Sequence, residues 1–279
     1  ALPTFHVGGF GIWARAYLAG NAVVPFEQKW LAESFARLCS TERITLTSLV
    51  PTQVFDLVQA GQRAPDSLRA VVVGGGALDE TLGNQARELG WPVLQSYGMT
   101  EACSQIATQP LSSLEGPFQP SPIEILPIWE VRVNEQDGLE IRGEALFDGY
   151  ADDDNPFGED GWFGTDDFGS VDGNQLTVRG RDSRTIKVLG ELVNLDRLEA
   201  ALFQLAGKLA TQVALTSQPD PRSGQKVVLV AEDSVSDSEL AELTDNFAEK
   251  TAPFEQIQDH VRVEKIPRSP LGKILRNQL

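Results

Sequence analysis

The chain has 279 residues, 41% of them apolar, and carries 40 Asp and Glu against 23 Lys and Arg, for a formal charge of -17. That length accommodates two domains or one large one, and the apolar fraction supplies a core, which excludes a disordered acidic tail. A surface this acidic repels phosphate backbones and anionic lipid, which excludes general nucleic-acid binding and membrane docking; an anionic ligand must be met by local cations.

The two cysteines, Cys39 and Cys103, are too few for a disulfide framework and lack the paired Cys/His spacing of a zinc site. They predict a reducing, cytoplasmic setting. Cys39 is expected on the apolar face of a helix and Cys103 beside the segment around Glu101, both as packing residues. No run approaches the ~18 to 20 apolar residues of a membrane span. The opening Ala1-Leu-Pro-Thr-Phe-His6 has no basic-then-apolar export signal. It also lacks an initiator methionine, and the expectation is that residues precede Ala1.

In chain order, Thr45 to Val50 and Ala70 to Val73 are predicted as short buried strands, Leu78 to Leu89 as a helix and Val93 to Gln95 as the next strand. A strand, glycine turn, helix and strand is the pattern of a parallel sheet. From Ile123 to Phe147 the period changes. Val131, Val133, Leu139 and Ile141 alternate with polar residues around Asp137-Gly138, which predicts a hairpin inside a β-rich subdomain. The stretch from Gly143 to Val178 contains no Lys or Arg, and its Asp152, Asp153, Asp154, Glu159 and Asp160 read as a solvated acidic loop.

After Gly180-Arg181 the character shifts. Asn194 can cap a helix with Leu195, Leu198, Leu202 and Leu205 on one face, and Ser236 with Glu239 makes a capping box ahead of Leu240, Leu243 and Phe247. Val227 to Ala231 and Val261 to Val263 supply strands. Residues 1–181 hold 11 basic and 25 acidic residues, a net of -14, whereas 182–279 hold 12 and 15, a net of -3, with Arg268, Lys273 and Arg276 near the end. The predicted fold class is α/β: a parallel sheet with a β-rich subdomain in residues 1–180, followed by a small α+β domain in 181–279.

Gly74, Gly75 and Gly76, followed by Ala77, stand where a strand ends and a helix begins, a place where a ligand can approach the backbone and where a helix N-terminus favours anions or ring-edge hydrogen bonds. Asp79 at the sixth position breaks the dinucleotide fingerprint, and no P-loop spacing is present. A tight structural turn explains the glycines equally well. Ser96-Tyr97-Gly98-Met99-Thr100-Glu101 follows the next strand, so an aromatic face, a hydroxyl and a carboxylate emerge at the carboxyl edge of neighbouring parallel strands, where open α/β sheets bind ligands. Such a set suits a nucleotide, with Tyr97 for stacking, Thr100 for phosphate and Glu101 for Mg2+.

Tyr97-Gly-x-Thr-Glu101 closely resembles the signature of the adenylate-forming superfamily of acyl-CoA and aryl-CoA synthetases. Gly161-Trp-Phe-Gly-Thr-Asp-Asp-Phe-Gly169 is similar to the superfamily's ribose motif, which makes Asp167 the residue on the ribose hydroxyls and puts Asp166 where a glycine is usual. Gly180-Arg-Asp-Ser-Arg-Thr-Ile-Lys187 resembles its hinge motif: Arg181 would contact the nucleotide, and Ser183 stands at a pivot that is normally Asp or Lys. Pro267-Arg-Ser-Pro-Leu-Gly-Lys-Ile-Leu-Arg276 resembles its C-terminal lysine motif, with Lys273 neutralising charge at the α-phosphate.

Leu2-Pro-Thr-Phe-His-Val-Gly-Gly9, Ser48-Leu-Val-Pro-Thr-Gln53 and the short spacing between motifs look most like the o-succinylbenzoate-CoA ligases of menaquinone biosynthesis, which also tend to lack the glycine before the ribose aspartate. The resemblance runs from the family's middle onward, without its earlier triphosphate-binding loop. It implies a cytoplasmic ligase that forms an acyl adenylate and then a thioester, using ATP, Mg2+, CoA and a small carboxylic acid. The small domain would rotate about the 181–184 junction between the steps, with Lys187, Gly190 and Glu191 bordering the pantetheine path. The acidic charge and the absence of a spanning apolar run, read above, give no nucleic-acid partner and no membrane insertion, and homo-oligomerisation stays open. His6 is placed at the acyl pocket by this resemblance; the alternative is a core-edge histidine satisfied by backbone. Arg15, alone among the uncharged residues 8 to 20, is either a partner for a substrate carboxylate or a snorkelling residue on an exposed helix. Two other readings remain: another aryl- or fatty-acyl-CoA synthetase, or an inactive nucleotide-binding remnant.

Overall fold

The structure, a computed structural model, describes all residues except 152–155, 159, 182–184, 269–273 and 276–277, and for Arg181 the backbone alone. The chain divides into two compact units, Ala1–Asp182 and Ser183–Leu279.

The first unit opens with α1 (Val7–Ala19), α2 (Ala32–Thr41), β1 (Leu46–Leu49), α3 (Pro51–Gln59), β2 (Ala70–Val73), α4 (Glu80–Glu88) and β3 (Val93–Tyr97). It continues with β4 (Ala107–Thr108), β5 (Ile123–Ile125), β6 (Trp129–Val133), β7 (Gly138–Gly143), β8 (Phe163–Asp172) and β9 (Gln175–Arg181). All nine strands form one sheet in the order β1-β2-β3-β4-β5-β9-β8-β7-β6. The β1, β2 and β3 strands run parallel, and every later pairing is antiparallel. The hairpin at Asp137-Gly138 forms as expected, joining β6 to β7 with Asp137 in the left-handed region at φ 63. Phe35 of α2, Leu57 of α3 and Leu82 of α4 pack with Val71, Val73 and Val93 of the parallel strands and with Trp91.

The expectations for β1 and Cys103 need correction. The segment around β1 was expected to be a buried strand, but it forms the sheet's edge; Leu49 is buried and Leu46 is exposed, because an edge strand has a neighbour on one side only. Cys39 is buried as expected, but Cys103 is exposed. Cys103 follows a short 3-10 turn with φ 48, and the chain reversal there leaves it outside the apolar cluster that buries the adjoining Ala102.

The second unit comprises β10 (Thr185–Val188), β11 (Glu191–Asn194), α5 (Leu195–Ala206), β12 (Val213–Asp220), β13 (Gly224–Glu232), α6 (Asp237–Ala248) and β14 (Ile257–Val263). Both predicted caps form: the Asn194 side chain accepts from the Arg197 amide at 2.9 Å, and Ser236 with Glu239 closes the capping box on α6. Leu195, Leu198, Leu202, Leu240, Leu243 and Phe247 pack on β12 and β13. Leu205, expected on the buried stripe, is 37% exposed. At about 100° per residue the buried residues Leu195, Leu198, Glu199, Leu202 and Ala206 centre near Leu195, and Leu205 lies about 80° from it, at the margin of the stripe. Glu199 is only 4% exposed, and its carboxylate accepts the Leu215 amide of β12 at 2.9 Å.

Burial pushes the Cys39 thiol up to about 11. At pH 8 about one Cys39 in a thousand is then the reactive thiolate. Titration of the native chain with a thiol-specific disulfide reagent is expected to modify Cys103 rapidly and Cys39 only after denaturation. Rapid modification of a native Cys103→Ser variant would contradict this.

Candidate functional site

Residues expected at the site are brought together where the sheet changes from parallel to antiparallel. Beyond β2, Gly74 donates its amide to the Leu49 carbonyl at 3.1 Å, and Gly75 adopts φ 77. A Cβ on Gly75 would lie 3.2 Å from Val50 Cγ1, so the loop lies close against the entry to α3. The buried Gln95 of β3 holds this loop: its Oε1 accepts the Leu78 amide at 2.7 Å, and its Nε2 donates to the Gly76 carbonyl at 3.1 Å and to the Ser96 carbonyl at 2.8 Å. The expectation of an anion-attracting helix start at α4 is corrected. Asp79 accepts from the Thr81 and Leu82 amides at 2.9 and 3.1 Å, occupying the donors an anion would use, and Glu80 adds a second negative charge.

At the end of β3, Gly98 passes so close to the Ser104 carbonyl oxygen that a Cβ would overlap it. The chain reverses through a 3-10 turn at Thr100–Ala102, and the Ile106 amide returns to the Tyr97 carbonyl at 2.9 Å. This turn presents Thr100 to solvent and leaves Glu101 half-buried. Tyr97 does not stand alone as a stacking face. Its phenol donates to Asp167 Oδ2 at 2.9 Å, across 70 residues of sequence.

Asp167 owes its position to strand alternation in β8. Phe163, Thr165 and Asp167 are buried, while Gly164 and Asp166 point outward. Thr165 Oγ1 accepts the Asp167 amide at 3.2 Å and donates to the Leu139 carbonyl at 2.9 Å, which fixes the strand beneath the carboxylate. Asp166, exposed, adopts φ 58, the left-handed conformation that glycine takes readily. The backbone of Arg181 in β9 lies in register with Asp167. Ahead of β8, the Trp162 ring carries the guanidinium of Arg132 at 4.3 Å and that of Arg142 at 4.8 Å. Asp160, bonded to Arg132, is thereby held below the usual carboxylate range.

Other expected residues lie apart from this group. His6 is the exposed residue before α1, so the core-edge reading is not met. Arg15 lies on the exposed side of α1 with its guanidinium over Gly11. Burial there holds its pKa below the ordinary arginine value, and no carboxylate pairs with it among the described residues. Lys187 belongs to β10 in the second unit, where Leu189 and Gly190, at φ 56 and 89, form the two-residue turn into β11. Ser183 and Lys273 lie outside the described residues.

Among the described residues no cluster of three or more His, Cys, Asp or Glu could cage a metal. Glu101 offers a single carboxylate, with Tyr150 Oη donating to its Oε1 at 2.9 Å. That donor set fits Mg2+, which is usually held by one or two carboxylates together with waters and substrate phosphates. A cleft of about 470 Å³ lined by Gln109, Ser112, Ser121, Glu124 and Gln175 contains none of the expected residues, and its walls carry no cation. Gln95 and Tyr150 are the two participants that motif reasoning does not single out. A glutamine inside an apolar strand is the signal for the first; the second has no local signal.

The model of the AMP-binding enzyme family matches residues 1–150. The 2-succinylbenzoate–CoA ligase of Bacillus licheniformis is 31% identical, with 100% of this chain and 60% of that protein covered. Among solved structures, o-succinylbenzoate CoA synthetase from Bacillus subtilis bound with its product analogue OSB-NCoA is similar at a TM-score of 0.83 and 28% identity, covering 100% of this chain and 59% of that one. The same enzyme in complex with ATP and magnesium ion gives 0.61 and 26%, covering 100% and 60%. The chain thus spans about 60% of the length of these relatives. With the match extending over more than half of its residues, the chain belongs to the AMP-binding enzyme family.

Proposed function

We propose that the chain provides the nucleotide-binding part of an ATP-dependent acid–CoA ligase whose acid is o-succinylbenzoate. The observation that carries the nucleotide reading is the meeting of Tyr97 with the buried Asp167 at 2.9 Å. It puts an aromatic ring and an ionisable carboxylate together at the edge where the parallel strands end. The acid is taken from the relatives, which are named for 2-succinylbenzoate and o-succinylbenzoate.

In this reading the substrate carboxylate attacks the α-phosphorus of ATP, pyrophosphate leaves, and the CoA thiol then displaces AMP from the acyl adenylate. The chemistry is mainly positioning and charge neutralisation. Asp167 accepts from the ribose hydroxyls, and Tyr97 presents its ring to the base. Gly74 to Ala77 let the nucleotide approach the backbone, with Gly98 keeping the Tyr97 turn tight, and Thr100 donates its hydroxyl to phosphate. Arg181 contacts the nucleotide, Ser183 serves as pivot, Lys273 supports adenylate formation, and Lys187 borders the CoA path. Glu101 would hold Mg2+, which when bound neutralises phosphate charge. His6 and Arg15 serve the acyl group, and Arg15 takes the ring carboxylate, a dianionic substrate's second charge.

Pyrophosphate release from ATP with o-succinylbenzoate tests the whole reading. Release by the chain, or by a protein that carries it within a sequence of the relatives' length, is expected, and absence from both would overturn it. For the ribose, Asp167→Ala is expected to weaken AMP binding by ~1.5 to 3 kcal/mol, the range for loss of a charged hydrogen-bond partner, whereas Asp166→Gly leaves it nearly intact; calorimetry giving the reverse ranking would transfer the role. For the acyl group, Arg15→Leu is expected to lower kcat/KM ~10²-fold for o-succinylbenzoate but not for an analogue without the ring carboxylate. Equal effects on both would return Arg15 to a surface role.

A further inference from the structure

The geometry points to Tyr150 as the positioning residue for the carboxylate of Glu101. This rests on the reading above that Glu101 meets a phosphate-bound metal ion. Tyr150 lies outside the Tyr97–Glu101 and Gly161–Gly169 motifs, yet its segment is attached to Glu101 twice. The Phe147 amide donates to the Glu101 carbonyl at 2.8 Å, and the Tyr150 phenol donates to Glu101 Oε1 at 2.9 Å. The donor is itself fixed. The Tyr150 ring lies 4.8 Å from that of Phe147 in edge contact, and Phe147 packs edge-on against Phe157 and against Phe163, the first residue of β8.

A glutamate on a solvent-accessible turn samples several rotamers, and a ligand must pay in entropy to select one. A phenol locked onto one oxygen removes that freedom in advance and leaves the other oxygen for a cation. Glu101 Oε2 has no hydrogen-bond or ionic partner among the described residues. A monodentate carboxylate of fixed direction is what Mg2+ requires, since it keeps near-ideal octahedral geometry and adapts poorly to a wandering ligand. Groups that orient a metal ligand from behind typically change metal affinity by ~10- to 100-fold when removed.

The test is Mn2+ binding to the chain in the presence of ATP, read by electron paramagnetic resonance, in a double-mutant cycle with Tyr150→Phe and Glu101→Gln. The phenylalanine keeps the ring on Phe147 and deletes only the donor. Tyr150→Phe is expected to weaken Mn2+ ~10-fold on the native background and to have no further effect once Glu101 is Gln, while ATP affinity without metal stays unchanged. No weakening, or equal weakening on both backgrounds, overturns the role of Tyr150 while leaving Glu101 as metal ligand. If Glu101→Gln binds Mn2+ as the native chain does, or if the native chain binds none, the metal reading itself fails, and the proposal fails with it.

Discussion

The site depends on a chain reversal that only glycine permits. At Gly98 the backbone comes against the Ser104 carbonyl with no room for a Cβ. Because it does, β4 returns antiparallel to β3 and the sheet changes from its three parallel strands to six antiparallel ones. A parallel continuation would instead have needed a crossover of a dozen or more residues. The reversal places Thr100 and Glu101 at the end of β3, and the antiparallel run that follows carries β8 to where Asp167 meets the phenol of Tyr97. The buried Gln95, two residues before Tyr97, ties the end of β3 to the glycine loop after β2. The glycine loop and the turn after Tyr97 are therefore both set from the end of one strand.

Electrostatics and packing divide the remaining work. The ion pairs of Arg132 with Glu140 and Asp160, and of Arg142 with Glu130, are exposed, and such pairs contribute little to stability individually. Their geometric effect is larger: both guanidinium groups lie on Trp162, so the turn that enters β8 is anchored to the β6–β7 hairpin immediately before Thr165 and Asp167. Within an acidic chain, Arg15 is unusual because its guanidinium is partly covered with no carboxylate beside it among the described residues.

Much of this was legible in the residues. The parallel strands, the Asp137 hairpin, the Asn194 and Ser236 caps and the faces of α5 and α6 follow from local periodicity and capping chemistry, which act over a few residues. The expectation of Asp167 rather than Asp166 on the ribose came from the motif resemblance alone; in the structure alternation from Phe163 buries 163, 165 and 167 on one side of β8, and the outward Asp166, where a glycine is usual, takes the left-handed conformation. Leu205 and Cys103 were misplaced because each lies at the margin of a local rule, one at the edge of a helical stripe and the other just past a turn.

Composition, periodicity and motif spacing by themselves determined the α/β class and the family resemblance, since these are written in short-range patterns. Tertiary structure alone decided that Tyr97 bonds Asp167, that Gln95 holds the glycine loop, that Asp79 occupies the start of α4, and that Tyr150 reaches Glu101. Apart from the Asp79 cap, these are contacts between residues from 17 to 70 positions apart. No local pattern records such pairings, because they arise only when the twist and register of the whole sheet bring its distant strands together.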